Sequence, residues 1–100
     1  MKKKLNFIED LYKTIEKRDK SNNKKSYTKQ ILKSGKNKIA QKVGEESSEL
    51  IIDYLIGTKK RTIEEASDLI YHILILLYSK KITINDIQKE LEKRKNVQQK

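Results

Sequence analysis

Residues 69–78, LIYHILILLY, form the longest apolar run in this chain of 100 residues, and only His72 interrupts it. Wound into a helix, the stretch is apolar on almost every side and needs cover on more than one of them. It is far shorter than the roughly 20 residues that span a bilayer. A chain of this length buries only roughly two thirds of the surface it exposes when unfolded, so its own core is thin. The economical solution is a helical bundle completed by a second copy, which predicts a homodimer.

The rest of the chain agrees with helix. It has no proline and only three glycines, at positions 35, 44 and 57, and β-branched alternation is nowhere sustained. The expected architecture is all-α, a bundle of about four to five helices. A first helix is expected over residues 6–18, ending in the polar stretch 19–25, whose KSNNKK is the best linker candidate. A short helix should cover residues 28–33 and stop at Gly35. A second long helix is expected over 37–56, with Gly57 ending it. A third begins after Thr62, where Thr62 and Glu65 have capping-box spacing, and runs to about residue 79. Thr83 should cap a last helix over 84–95 with Ile87 and Leu91 on its apolar stripe, leaving 96–100 frayed.

Composition narrows the chemistry. Without cysteine there is no disulfide or thiolate metal site, and one histidine cannot make a zinc site, so any metal must be held by carboxylates. The net charge of +10 raises the question of nucleic acid, but lysine rich alongside isoleucine and asparagine equally reflects biased codon usage. The distribution is more informative: residues 1–38 carry +9, residues 39–79 carry −3 and residues 80–100 carry +4. An acidic centre between basic arms suits a cation site facing a small polyanion. The basic start leads into Asn6, Glu9 and Asp10 and not into an apolar signal segment, so a cytoplasmic location is expected, with no membrane or nucleic-acid partner.

On a helical wheel at about 100° per residue with Glu45 at zero, Glu49 falls near 40°, Asp53 near 80° and Glu46 near 100°. This acidic wedge adjoins an apolar arc of Ile39, Ala40, Val43, Leu50, Ile51 and Tyr54. Like charges at these spacings repel, which calls for a compensating cation. On the next helix Glu65, Asp68 and His72 share an edge bordering Leu69, Ile73 and Leu76. If the two helices pack antiparallel across the short link at 57–61, Glu45, Glu46, Glu49, Glu65 and Asp68 converge. An all-oxygen cage of this kind suits Mg²⁺, or Mn²⁺ in its place, and phosphoanhydride hydrolysis, with a carboxylate orienting or deprotonating the attacking water. The competing reading is a solvated face in which Lys38 and Lys42 pair with the wedge carboxylates and Glu65 closes its capping box. His72 reads as a core-edge histidine in preference to a ligand, and Asp53 as structural support.

The EExxE of GEESSE at 44–49, followed by ExxD at 65–68, is similar to the metal signature of the all-alpha, MazG-like nucleotide pyrophosphohydrolases. The surrounding text is narrower: SYT at 26–28, IAQKVGEE at 39–46 and EEASDLIYHILILL at 64–77 resemble the phosphoribosyl-ATP pyrophosphohydrolase family. The resemblance extends over about residues 7–95 of a single domain, 1–100. It implies Mg²⁺-dependent hydrolysis of phosphoribosyl-ATP to phosphoribosyl-AMP and pyrophosphate, the second step of histidine biosynthesis, in a homodimeric helical bundle. Carried over position by position, Glu45, Glu46, Glu49, Glu65 and Asp68 are metal-site carboxylates, with Glu46 and Glu49 in catalysis. Lys42 and Lys38 are placed to meet substrate phosphate. Ser26, Tyr27 and Thr28 match a family segment whose role is left open between substrate contact and helix cap. The cyclohydrolase step that some relatives carry in fusion is expected on another protein. The rival functions are a house-cleaning pyrophosphohydrolase of nucleoside triphosphates using the same site, and, from another class, a basic helical nucleic-acid-binding module.

Overall fold

The computed structural model describes residues 6–97, and the side chains of residues 6–95. The described chain consists of five helices and no strand: α1 (Phe7–Lys20), α2 (Tyr27–Lys33), α3 (Lys36–Ile56), α4 (Lys59–Ser79) and α5 (Ile84–Val97). The all-α expectation holds. None of these helices is long and apolar enough to cross a membrane.

Local chemistry sets the ends. Ser26 caps α2, its side chain accepting from the Lys29 amide at 3.3 Å. Gly35 separates α2 from α3 at φ 94°, in a region that side chains disfavour. Gly57 ends α3 as expected, donating its amide to Asp53 O at 2.8 Å. A Cβ on Gly57 would lie 2.5 Å from Asp53 Oδ1 and 3.0 Å from Asp53 Cα, so the tight exit needs glycine.

The start of α4 departs from expectation. The cap is Thr58, which accepts from the Arg61 amide at 3.1 Å, and the helix begins at Lys59. The Thr62–Glu65 capping box does not form, because Thr62 already lies inside the helix, its hydroxyl 2.9 Å from Thr58 O and 3.1 Å from Asp53 O. Glu65 is thereby left for another role. The link between the long helices shrinks to Gly57 and Thr58. At the last helix Thr83 Oγ1 accepts from the Asp86 amide while Asp86 Oδ2 accepts from the Thr83 amide, a reciprocal cap. Helix α5 runs on to Val97, and residues 98–100, part of the expected frayed end, lie outside the described residues.

With only two linking residues, α3 and α4 pack as an antiparallel hairpin, the dominant helix pair of the fold. Helix α1 lies against α4, α2 bridges α1 to the hairpin, and α5 returns to α1. The core is small: Ile15, Ile31, Ile39, Leu74 and Ile75, with Leu11, Tyr12, Leu32, Leu77 and Ile84 among those packed around it. Long-range polar bonds pin the layers. Tyr12 donates to Ile82 O at 2.7 Å and Tyr78 to Asp19 Oδ2 at 2.7 Å, while Lys29 Nζ donates to Asp19 O and Ser21 O at 2.8 and 2.9 Å, tying down the end of α1.

The apolar arc of α3 is wider than the seam α4 can cover. Ile39 is buried and Val43 and Leu50 are half-buried, but Ile51, Ile52, Tyr54, Leu55 and Ile56 are exposed, as are Ile63 and Ile70 on α4. Ile56 is 82% exposed. In an antiparallel hairpin the end of α3 and the start of α4 are neighbours, so the exposed side chains of residues 51–56 gather with Ile63 at one end of the hairpin, while Ile70 lies midway along α4. The radius of gyration, 15.2 Å, exceeds the about 13 Å expected of a compact domain of this length.

Candidate metal centre

The hairpin seam carries the acidic residues. Glu46 lies on the same line of α3 as Ile39, Val43 and Leu50, and Glu65 on the same line of α4 as Leu69 and His72, so packing the apolar residues turns both carboxylates inward. Glu46 is 7% and Glu65 4% exposed. Glu49, one turn along α3, is exposed and completes a group in which one carboxylate oxygen from each of Glu46, Glu49 and Glu65 lies within 4.8 Å of the others.

Two of these oxygens, Glu46 Oε1 and Glu65 Oε1, are buried and meet no hydrogen-bond donor. A buried carboxylate oxygen without a partner is costly, and a bound cation removes the cost. Burial pushes the Glu65 carboxyl above its ordinary value, the adjacent Glu49 pushes the same way, and Arg61 partly opposes them. The donor set is hard oxygen from three acids, which fits Mg²⁺ or Mn²⁺ and not a soft metal.

Cationic side chains occupy both flanks. Lys42 Nζ is 3.5 Å from Glu45 Oε1 and 3.6 Å from Glu46 Oε2. Burial pulls the Lys42 ammonium down, but Tyr27, Glu45 and Glu46 outweigh it and hold its pKa above the usual value. On the other flank Arg61 reaches three acids: Glu64 and Glu65 at 2.6 Å and Asp53 at 3.6 Å. Sequence reasoning passed over Arg61, although its position one turn before Glu65 was the available signal. Asp53, read as structural, does serve as a partner to Arg61.

Glu45 and Asp68 lie outside the three-acid group. Glu45 is exposed and accepts from Gln41 Nε2 at 2.8 Å, and that bond, with Lys42 and Lys38, holds its carboxyl low. Asp68 is exposed too, and its backbone carbonyl accepts from His72 Nδ1 at 2.8 Å. Lys38 is exposed, one helical turn from Lys42.

The three residues of SYT have three separate partners. Ser26 is the cap of α2, Tyr27 Oη bonds His72 Nε2 at 2.7 Å, and the fully buried Thr28 shares a hydrogen bond with the Tyr71 hydroxyl. Arg18 also donates to that Tyr71 oxygen, at 3.1 Å. His72 is therefore a satisfied seam histidine, as its position suggested, but one that carries α2 to the acidic centre. The Tyr27 hydroxyl is held above its usual pKa first by burial, with Lys42 opposing and Glu46 and Glu45 adding to the rise.

The sequence that builds this arrangement matches a known family. The phosphoribosyl-ATP pyrophosphohydrolase family profile matches residues 8–95, which include all of α2, α3 and α4. Phosphoribosyl-ATP pyrophosphatase of Sulfolobus acidocaldarius is 48% identical over 89 residues, covering 89% of this chain and 94% of that protein. The enzyme of the same name from Saccharolobus solfataricus is 44% identical over 88 residues, again 94% of its length. The histidine biosynthesis bifunctional protein HisIE of Bacteroides thetaiotaomicron is 47% identical over 88 residues, which make up 43% of that longer protein. With a helical hairpin that brings three acids together, and a match over nearly its whole described length, the chain belongs to the phosphoribosyl-ATP pyrophosphohydrolase family.

Proposed function

We propose that this chain hydrolyses phosphoribosyl-ATP to phosphoribosyl-AMP and pyrophosphate, the second step of histidine biosynthesis, as a Mg²⁺-dependent cytoplasmic homodimer. The observation that carries the reading is the convergence of Glu46, Glu49 and Glu65 with two buried, unpartnered oxygens, in a chain whose curated relatives bear that activity in their names.

Glu46, Glu49 and Glu65 would hold the cation, with Glu45 and Asp68 on adjoining turns available to it or to its waters. A Mg²⁺ ion held there would neutralise charge on the phosphate oxygens of the anhydride, and Mn²⁺ would be the natural substitute. Lys42 meets the substrate phosphates, with Lys38 one turn away extending the cationic track. Glu49, the exposed acid of the three, is reached by solvent and takes the proton of the attacking water. The water oxygen bonds to phosphorus, the bridging P–O bond breaks, and pyrophosphate leaves with the bridging electrons. The second copy covers the apolar end of the hairpin formed by Ile51, Ile52, Leu55, Ile56 and Ile63.

Pyrophosphate release from phosphoribosyl-ATP, ATP and dNTPs, with and without Mg²⁺, tests the reading in the wild type and Glu46→Gln. Magnesium-dependent release confined to phosphoribosyl-ATP and lost in the variant is expected. Release from dNTPs alone would keep the site and change the substrate.

A further inference from the structure

The Tyr27–His72 pair is unused by the chemistry above, and its hydrogen bonds have a defined direction. His72 Nδ1 faces the Asp68 carbonyl oxygen at 2.8 Å. A carbonyl only accepts, so Nδ1 carries a proton, and in the neutral form of the ring Nε2 is then an acceptor. The atom facing Nε2 is Tyr27 Oη at 2.7 Å, so the tyrosine donates its only proton to His72. What remains on the hydroxyl is lone pairs.

The hydroxyl is also held in place. Ser26 caps α2 immediately before it and the buried Thr28 immediately after it is locked to Tyr71, which Arg18 holds from α1. The tyrosine and histidine rings meet edge to face at 5.6 Å, and His72 is itself buried. Yet Tyr27 is 46% exposed, and its partner His72 lies on the same line of α4 as Glu65 of the metal centre. A fixed acceptor at the rim of an anion-binding site cannot bond a phosphate oxygen, which also only accepts. It suits a neutral donor attached close to the phosphates.

We propose that Tyr27 determines specificity by accepting a hydrogen bond from a sugar hydroxyl of the nucleotide substrate, and that His72 is the positioning residue that makes Tyr27 an acceptor. In a nucleotide the ribose is the hydroxyl-bearing group next to the phosphate chain, and the exposed part of the tyrosine ring offers it an apolar surface. The inference rests on the proposed hydrolysis of phosphoribosyl-ATP at the same centre.

The test is steady-state kinetics with phosphoribosyl-ATP and with its 2′-deoxy and 3′-deoxy analogues (deoxy on the ribose that bears the triphosphate), with Tm followed for every variant. Tyr27→Phe is expected to raise KM for phosphoribosyl-ATP by about tenfold, the value of one neutral hydrogen bond, with kcat little changed. One deoxy analogue should show the same penalty in the wild type and no further penalty in Tyr27→Phe. His72→Gln, whose amide supplies both an acceptor for Tyr27 and a donor for Asp68 O, should retain a near wild-type KM. His72→Leu should match Tyr27→Phe, and Tyr27→Phe/His72→Leu should be no worse than either. Equal deoxy penalties in the wild type and Tyr27→Phe, or an unchanged KM in Tyr27→Phe, overturn the inference while leaving the hydrolase reading intact. A wild type that turns over no phosphoribosyl-ATP overturns both.

Discussion

Arg61 Nη2 lies 2.6 Å from Glu65 Oε2, while the other oxygen of the same carboxylate, Oε1, is buried and has no donor. One half of Glu65 is thus neutralised from within the chain and the other half is left without a donor. The arginine is bidentate across neighbouring acids, holding Glu64 with Nη1. It anchors one oxygen of Glu65 and leaves the other unpaired.

Removing that clamp should separate metal-free from metal-bound stability. Arg61→Ala is expected to melt lower than the wild type without metal, because Glu65 and Glu49 then face each other with less compensation. Saturating Mg²⁺ should restore a larger part of the Tm in the variant than it adds to the wild type. Equal Mg²⁺-induced shifts in the two proteins would contradict this.

Glu49→Gln removes one charge from a crowded group while keeping its shape. Turnover is expected to fall by roughly a hundredfold or more, the usual contribution of a proton-accepting carboxylate. The metal-free helices should be as stable as the wild type or slightly more so, and the Mg²⁺-dependent rise in Tm should shrink. Circular dichroism melts alongside pyrophosphate release decide it, and unchanged turnover would remove Glu49 from the site.

Gly57→Ala tests the tight exit of α3. The added Cβ meets Asp53 backbone atoms at 3.0 Å, so the helix end must shift, at a cost of about 1–3 kcal/mol by analogy with overpacked sites. In a domain of this size each kcal/mol lowers Tm by roughly 4–8 °C. Because the same turn sets the register between α3 and α4, activity below the melt should fall as well.

The apolar end of the hairpin predicts the oligomeric state. Ile52 is 54% exposed in the single chain, so Ile52→Asp costs little within a protomer but places a charge where a second copy would cover it. Light scattering on size-exclusion fractions should give a dimer for the wild type and a monomer for Ile52→Asp. A wild type that elutes as a monomer would refute the predicted dimer.

Tyr78 supplies a pH signature. Burial, then its hydrogen bond to Asp19, pushes its hydroxyl from 10.0 up to about 12. In this range the folded state keeps the proton that the unfolded state has lost, so stability is full below pH 10 and falls as pH rises toward 12. Tyr78→Phe should be less stable than the wild type at neutral pH by about 1 kcal/mol, the value of one hydrogen bond. That gap should narrow between pH 10 and 12 in denaturant melts.

The helices, the acidic wedge and the family resemblance were legible in the sequence because each rests on local spacing: 3.6-residue periodicity, glycine at helix ends, and EExxE followed by ExxD. Even there, local signals competed. Thr62 and Glu65 have the spacing of a capping box, yet Thr58 caps α4 because the two-residue link starts the helix earlier. Only the tertiary structure decided which acids meet. Glu46 and Glu65 sit in the hairpin seam because packing two apolar stripes turns their flanking positions inward, whereas Glu45, a neighbour in sequence, points to solvent. Long-range pairs such as Tyr27 with His72, 45 residues apart, and Arg18 with Tyr71, 53 apart, have no local signature at all. A wheel fixes the direction of a side chain about its own helix, but which partner it meets depends on how the helices dock.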